Sequence, residues 1–290
     1  MAKGNIGNLL QHFVALNVAE KVVNYWSKPE GPIEYVDCFS MAPWERLDCT
    51  QPQGFLGLIN TFPTKRNAGD FVANVFINVW NGKYGINNTP VKVKNREYPN
   101  TAVLLRTAFP NQNWNMRLHD IKPENAQALN DWANLQNLGT YSVNKDWLES
   151  AQIKQPAPVD RPVLIMLDPN KICEDNTKDN TKDNTKKNNL TQDGLRFLFG
   201  SIGLNAALKR TSPFVVCLFS YSDNAPDVPD GIVRNFFENN IWNTEHIKTR
   251  RYNTRGVSTY HQAWIVSKNI ETPIFLEAQN AWDNWVGIQT

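Results

Sequence analysis

Apolar residues along this chain come in two spacings, and the two alternate. Over residues 6–26 they recur in steps of three and four. Leu9, Leu10, Phe13, Val14, Leu16, Val18, Val22 and Val23 make one broad face, which predicts a helix. Gly4-Asn5 and Gly7-Asn8 precede it as loop or cap residues. Pro29 and Pro32 then break the chain, and the dense run at 33–39 (IEYVDCF) predicts a strand with Asp37 near its end. The alternation continues with a helix at 101–109, a strand at 114–119 followed by Asp120, and a helix at 123–137. A short strand at 140–143 leads to Asp146, and a helix runs from 148 to Pro156. Val163 to Leu167 is unbroken apolar sequence, closed by Asp168-Pro169. Such a run reads as a strand buried on both faces, and the proline ends it. A helix at 190–209, a strand at 214–220 and a helix at 231–242 follow, with strand-like segments near 245–252 and 262–267.

Strand–helix units repeated in this way predict one α/β domain over residues 1–290. Its sheet is Rossmann-like and mostly parallel, with antiparallel strands at its late edge. Residues 50–97 interrupt the rhythm. They are Gly- and Pro-punctuated, then helical in spacing at 69–80, then turn-rich and basic, which predicts a small helical insertion. Lys65, Arg66, Lys83, Lys92, Lys94 and Arg96 belong to its surface, either as solvated charge or as a nucleic-acid face. Residues 175–186 spell DNTK three times without one apolar residue, so 175–189 reads as a disordered loop just beyond DPNK.

Composition narrows the classes. With 41% hydrophobic residues among 290, the chain can bury a sizeable core. The 10 Trp and 14 Phe are core rings or stacking platforms. A net charge of +2 permits nucleic-acid contact without requiring it. Cys38, Cys49, Cys173 and Cys217 form no CxxC pair and have no histidine at metal spacing. Cys38, Cys173 and Cys217 lie in or beside apolar runs and read as reduced core thiols, and no metal site is expected. The first residues have no signal-peptide pattern and no stretch has membrane-spanning length, so a soluble cytoplasmic protein is expected. None of the GxSxG, HExxH, GxxxxGK[ST] or GxGxxG motifs occurs. The four histidines are scattered and read first as structural. Arg250, Arg251 and Arg255 either contact phosphate or flank a loop.

Asp37, Asp120, Asp146 and Asp168 each stand at a predicted strand end. In a parallel sheet those ends line one crevice. That arrangement resembles the class I S-adenosylmethionine-dependent methyltransferases, and most closely the bacterial 23S ribosomal RNA adenine N6-methyltransferase J family. The similar segments run in order along nearly the whole chain. They are Gly4-Asn5 through Leu10-Gln11-His12, Tyr35-Val36-Asp37, the run YPNTAVLLR at 98–106, and Asp168-Pro169-Asn170-Lys171 where the family has DPPY. The resemblance implies S-adenosylmethionine as cofactor, held by Asp37, Ser40, Asp120 and Asp146. It implies Asp168, Pro169 and His12 as catalytic residues. Asp168 and a prolyl carbonyl would accept the hydrogens of an adenine N6 amine whose base has left its stack in DNA or RNA.

The chain departs from that pattern at demanding positions. The cofactor loop that usually carries two glycines has Met41 and Pro43 instead. The second proline and stacking aromatic of DPPY are Asn170 and Lys171, and the lysine before the helix histidine is Gln11. Two functions are therefore expected. One is an amine methyltransferase. The other is a catalytically degenerate relative that binds nucleic acid or a protein partner.

Overall fold

The computed structural model describes residues 4–25, 31–47, 54–85, 96–144, 161–169, 172–173, 190–198, 211–223, 227–237, 242–249, 252–254, 257–270 and 274–287. Expectations for Asp146, Asn170, Lys171, Lys92, Lys94, the helix at 148–156, the DNTK repeat and Arg250, Arg251 and Arg255 fall outside the described residues.

The amino-terminal half contains α1 (Ile6–Tyr25), β1 (Ile33–Asp37), β2 (Trp44–Arg46), α2 (Phe55–Leu58), α3 (Phe62–Asn67), α4 (Phe71–Tyr84), β3 (Glu97–Pro99), α5 (Thr101–Ala108), β4 (Trp114–His119), α6 (Pro123–Leu135) and β5 (Thr140–Asn144). The remainder contains β6 (Val163–Leu167), β7 (Ile172–Cys173), β8 (Leu190–Thr191), α7 (Gln192–Leu198), β9 (Phe214–Asp223), α8 (Asp227–Phe237), β10 (Asn243–Lys248), β11 (Tyr252–Thr254), β12 (Val257–Lys268) and α9 (Ala278–Trp285).

The main sheet runs β10-β12-β9-β6-β1-β4-β5, with β11 beside β12. β1 pairs in parallel with β4 and with β6, β4 with β5, and β6 with β9, while β12 is antiparallel to β9 and β10. All five residues of β1 and of β6 are buried, as central parallel strands require. From β1 the chain first builds outward through β4 and β5, then returns to β6 on the other side. The junction of β1 and β6 is therefore the topological switch point, where open α/β sheets bind ligands.

Alternate strand residues feed two cores. Tyr35, Leu164, Val215 and Ile265 pack with α1, α4, α5 and α9. Val36, Ile165, Val216 and Trp264 pack with Leu195 of α7 and Val233 and Phe237 of α8. The first core is ring-rich. Phe13 of α1 lies 5.4 Å from Trp282 and 5.2 Å from Trp285, and Phe62 of α3 lies 5.7 Å from Trp285. Trp80, Trp114, Trp242, Trp264, Trp282 and Trp285 are all buried, so these six are core rings rather than stacking platforms.

The fold class is the expected one, with local corrections. Residues 44–46 form a strand paired with 97–99, in a stretch where no strand was expected. Leu190-Thr191 pairs with Ile172-Cys173 before the helix begins at Gln192, which buries Leu190 and Ile172. The helix expected at 231–242 spans Asp227–Phe237 and takes Pro229 into its first turns. Helix α9 was not expected at all. Its anchors Ala278, Trp282 and Trp285 share one face, but eight residues are too few for a period to stand out.

Candidate active site at the switch point

Asp37 is the last residue of β1, and it is 6% exposed. Tyr35 Oη–H donates to its Oδ2 at 2.9 Å, and Phe39 N–H donates to its Oδ1 at 3.0 Å. Burial, assisted by the nearby charge of Asp120, pushes its carboxyl up to about 6. Ser40 ties the following loop to β4. Its N–H donates to the His119 carbonyl at 2.7 Å, and its hydroxyl accepts from His119 N–H at 3.3 Å. Cys38 N–H donates to the Met166 carbonyl at 3.1 Å, fastening the same loop to β6. Asn100 completes the clamp. Its Nδ2 donates to the Ser40 carbonyl at 3.1 Å while its Oδ1 caps α5 through Val103 N–H at 3.0 Å.

Met41 sits in this loop with φ 59°. That left-handed conformation costs a residue with a Cβ about 1 kcal/mol. The backbone thus adopts a conformation that favours glycine, although a methionine stands there. Strain of this kind persists where the surroundings impose it, and functional sites are where it concentrates.

A small hollow of about 20 Å³ opens above these residues. Gln11, His12, Asp37, Phe39, Ser40, Met41, Asn100, Thr101, Met166, Asp168 and Phe219 line it. A second hollow of about 20 Å³ shares Gln11, Asp168 and Phe219 with the first and extends to Asn5, Asn8, Tyr221 and His261. Asp168 therefore stands between two hollows. Helix α1 reaches both because it lies close on the sheet. A Cβ on Gly7 would come within 2.3 Å of His261 Nδ1.

His12 is buried among Phe76 and Tyr98, with ring centroids 6.0 and 5.1 Å away. Its Nδ1 meets Thr101 Oγ1 at 3.1 Å, and its Nε2 has no hydrogen-bond partner. Burial drops its pKa to about 3, so the ring is neutral. A buried nitrogen without a partner costs roughly 1–3 kcal/mol.

The structure thus brings His12, Asp37, Ser40 and Asp168 to one pocket. Pro169 is buried directly after Asp168. Asp120 is not among the lining residues. Its Oδ1 accepts from Lys122 N–H at 2.8 Å and its Oδ2 from Asn125 Nδ2 at 3.0 Å, so it caps the start of α6 while its field reaches Asp37. Tyr35 and Thr101 escaped the sequence reading, because strand and helix positions give no sign of a hydroxyl turned toward Asp37 or His12.

Other candidates resolve as structural. Cys38 and Cys217 are buried free thiols whose pKa burial pushes up, which makes them inert. His246 stacks on Trp264 at 5.0 Å and bonds Gln262 at 2.9 Å. Of the basic residues at 65–96, Lys65 donates to the Trp285 carbonyl, and Lys83 pairs with Glu97 at 2.7 Å. Both engage groups of the fold itself, Lys83 at the surface. Among the described residues no cluster of His, Cys, Asp or Glu has metal-site geometry, and no helix is long and apolar enough to cross a membrane.

No family model matches the chain, and no curated protein does. Solved structures are similar to it in fold. Protein LPL1258 from Legionella pneumophila, described under the family model DUF519, is 14% identical with a TM-score of 0.61, over 99% of this chain and 95% of that one. TYW2 from M. jannaschii, solved with AdoMet, is 10% identical with a TM-score of 0.37, over 87% of this chain and 76% of that one. A putative rRNA-methylase from Clostridium thermocellum is 11% identical with a TM-score of 0.29, over 53% of this chain and 76% of that one. The Legionella likeness fixes the fold as the Rossmann-like α/β class expected from the sequence, and the two weaker ones add no weight.

Proposed function

We propose that this protein is an S-adenosylmethionine-dependent methyltransferase acting on an amine, with adenine N6 in nucleic acid as the acceptor. One observation carries the reading. Asp168, His12 with its unpartnered Nε2 and the proton-hungry Asp37 meet in one pocket at the switch point. The residues fit the cofactor in backbone terms, because Met41 keeps the left-handed φ of 59° that lets the loop turn beneath a ligand. Asp37, Ser40 and the loop between them would hold it, and Asp120 sets the local charge. When bound, the cofactor supplies an electrophilic methyl group. The rest of the work belongs to the chain. Asp168 and the Pro169 carbonyl accept the amine hydrogens and aim the nitrogen lone pair, which is otherwise drawn into the ring. That is catalysis by positioning and by fixed charge.

Calorimetric titration with S-adenosylmethionine and S-adenosylhomocysteine tests this. Saturable binding of both is expected, and no heat with either at millimolar ligand overturns the reading. Given binding, Asp168→Ala should lower methyl transfer by about 100-fold or more while leaving cofactor affinity largely intact. A second reading, a non-catalytic binding subunit, is favoured by Met41 and Pro43 in the cofactor loop. It predicts nucleic-acid or partner binding that is indifferent to Asp168→Ala.

A further inference from the structure

Across the second hollow from Asp168 stands a histidine that the proposed reaction does not use. His261 lines that hollow together with Asp168, Tyr221, Asn5, Asn8 and Gln11. Two observations fix where its ring lies. A Cβ on Gly7 would come within 2.3, 2.6 and 2.8 Å of its Nδ1, Cε1 and Cγ, so the imidazole is seated on the first turn of α1. Strand alternation agrees, because Ala263, two residues on, belongs to the core that packs under α1. Tyr221 follows Phe219 onto the same face, and Asp168 continues it from Met166. Register sets the spacing. His261 of β12 stands opposite Tyr221 of β9, and Leu167 of β6 pairs with Leu218 of β9. Asp168 and His261 are thus two strands and about two residues apart, roughly 12 Å between Cα atoms. Both line a hollow of about 20 Å³, which has room for one water and polar groups to hold it. A carboxylate and an imidazole so placed meet through that water rather than directly.

We propose that His261 is the proton acceptor of the site, joined to Asp168 through one water lodged in the second hollow. Its part in turnover rests on the amine-methylation reading, whereas its coupling to Asp168 does not. When the nitrogen–carbon bond forms and the carbon–sulfur bond breaks, the bonding pair stays on sulfur and the nitrogen is left cationic. The nitrogen must then shed one hydrogen as a proton. The water beside Asp168 takes that proton and passes one of its own to His261. The water is restored, and His261 ends as an imidazolium whose charge the Asp168 carboxylate offsets. Two properties suit the ring to this work. An imidazole ordinarily holds a proton about two units more tightly than a carboxylate, so the proton does not stay on Asp168. His261 is also partly exposed, so it can return the proton to solvent. His12 offers no such seat, because burial drops its pKa to about 3. Around His261, α1 contributes the uncharged amides of Asn5, Asn8 and Gln11, and β9 contributes the phenol of Tyr221. From beyond β10, Thr249 accepts from His261 N–H at 3.0 Å through its Oγ1, while Lys248 alternates to the opposite face with His246.

The test uses the ligand-free full chain, with the ring signals of its four histidines followed by NMR across pH. His261→Gln identifies the His261 signal. Asp168→Asn removes the opposite charge and should lower the His261 midpoint by about one unit. The signal of His246, held by Asp230 and Gln262 on the other face, should stay where it is. An unchanged His261 midpoint, or an equal shift at His246, overturns the coupling. If circular dichroism finds Asp168→Asn unfolded, Asp168→Ser removes the same charge and is judged the same way. In single-turnover methyl transfer the rate should climb as the pH rises through the His261 midpoint. His261→Gln should abolish that climb and slow transfer about 100-fold. A climb that persists in His261→Gln overturns the role in turnover. The coupling is read without cofactor, so a failed pair and a failed methyltransferase reading are separate results.

Discussion

Glu34 and Asp37 are two acids on one strand, both buried, and the protein treats them in opposite ways. Glu34 faces Asn115, whose Nδ2 donates to both its oxygens at 3.0 and 2.8 Å, with Arg117 at 3.4 Å and Arg161 at 3.8 Å. Asp37 receives a phenol and one backbone N–H, and its nearest charge is another acid. At the amino end of β1 the charge is neutralised where it stands. At the carboxyl end it is left in tension, facing a pocket. The difference separates a residue that holds the sheet together from one that the proposed function puts to use, since perturbed acids in clefts are candidates for functional sites.

Breaking the first of these should have the largest effect. Glu34→Ala strands Asn115 and two arginines and should destabilise the fold by about 3 kcal/mol, read as a lower midpoint in denaturant. A loss no greater than that of a surface substitution would remove Glu34 from the structural side. Asp37→Asn should act with the opposite sign. The folded-state pKa of about 6 lies above the ordinary 3.8, so the folded protein binds this proton more tightly than the unfolded chain does. Stability therefore declines as the pH rises from about 4 to about 6, and stays reduced above. Removing the charge should add about 2 kcal/mol at neutral pH and nothing below pH 4, while cofactor affinity falls. Thermal melts across pH check this, and a destabilised variant at pH 8 would put both acids in one class. The smallest effect is expected at Met41. Met41→Gly exchanges left-handed strain for the greater freedom of glycine in the unfolded chain, a net change within about 1 kcal/mol. The same variant empties one wall of the pocket and should raise S-adenosylmethionine affinity about tenfold by calorimetry. Unchanged affinity would mean that the methionine does not limit the site.

The frame of the site was legible in the sequence because backbone chemistry writes it there. Val163 to Leu167 followed by Asp168-Pro169 announces a buried strand and its end, and the register of acids places the crevice. What the side chains do inside was not legible. Thr101 lies 89 residues from His12, and no local pattern links them. The methionine at 41 was visible, but its left-handed backbone was not, since it depends on His119, Met166 and Asn100 gripping the loop from three other elements. Helix α9 was missed for a different reason. Its two tryptophans matter through Phe13 and Phe62, far away in the chain.

Gly7 works as a spacer whose thickness is zero. With no room for even one carbon between α1 and His261, the helix is seated as deep as its backbone allows, and five residues further on it delivers His12 to the pocket. A helix is too stiff to absorb a shim at one end without passing it to the other. The alignment of the site is thus adjustable from a position that takes no part in it. Drift at residue 7 would detune the pocket while leaving every residue of the pocket in place.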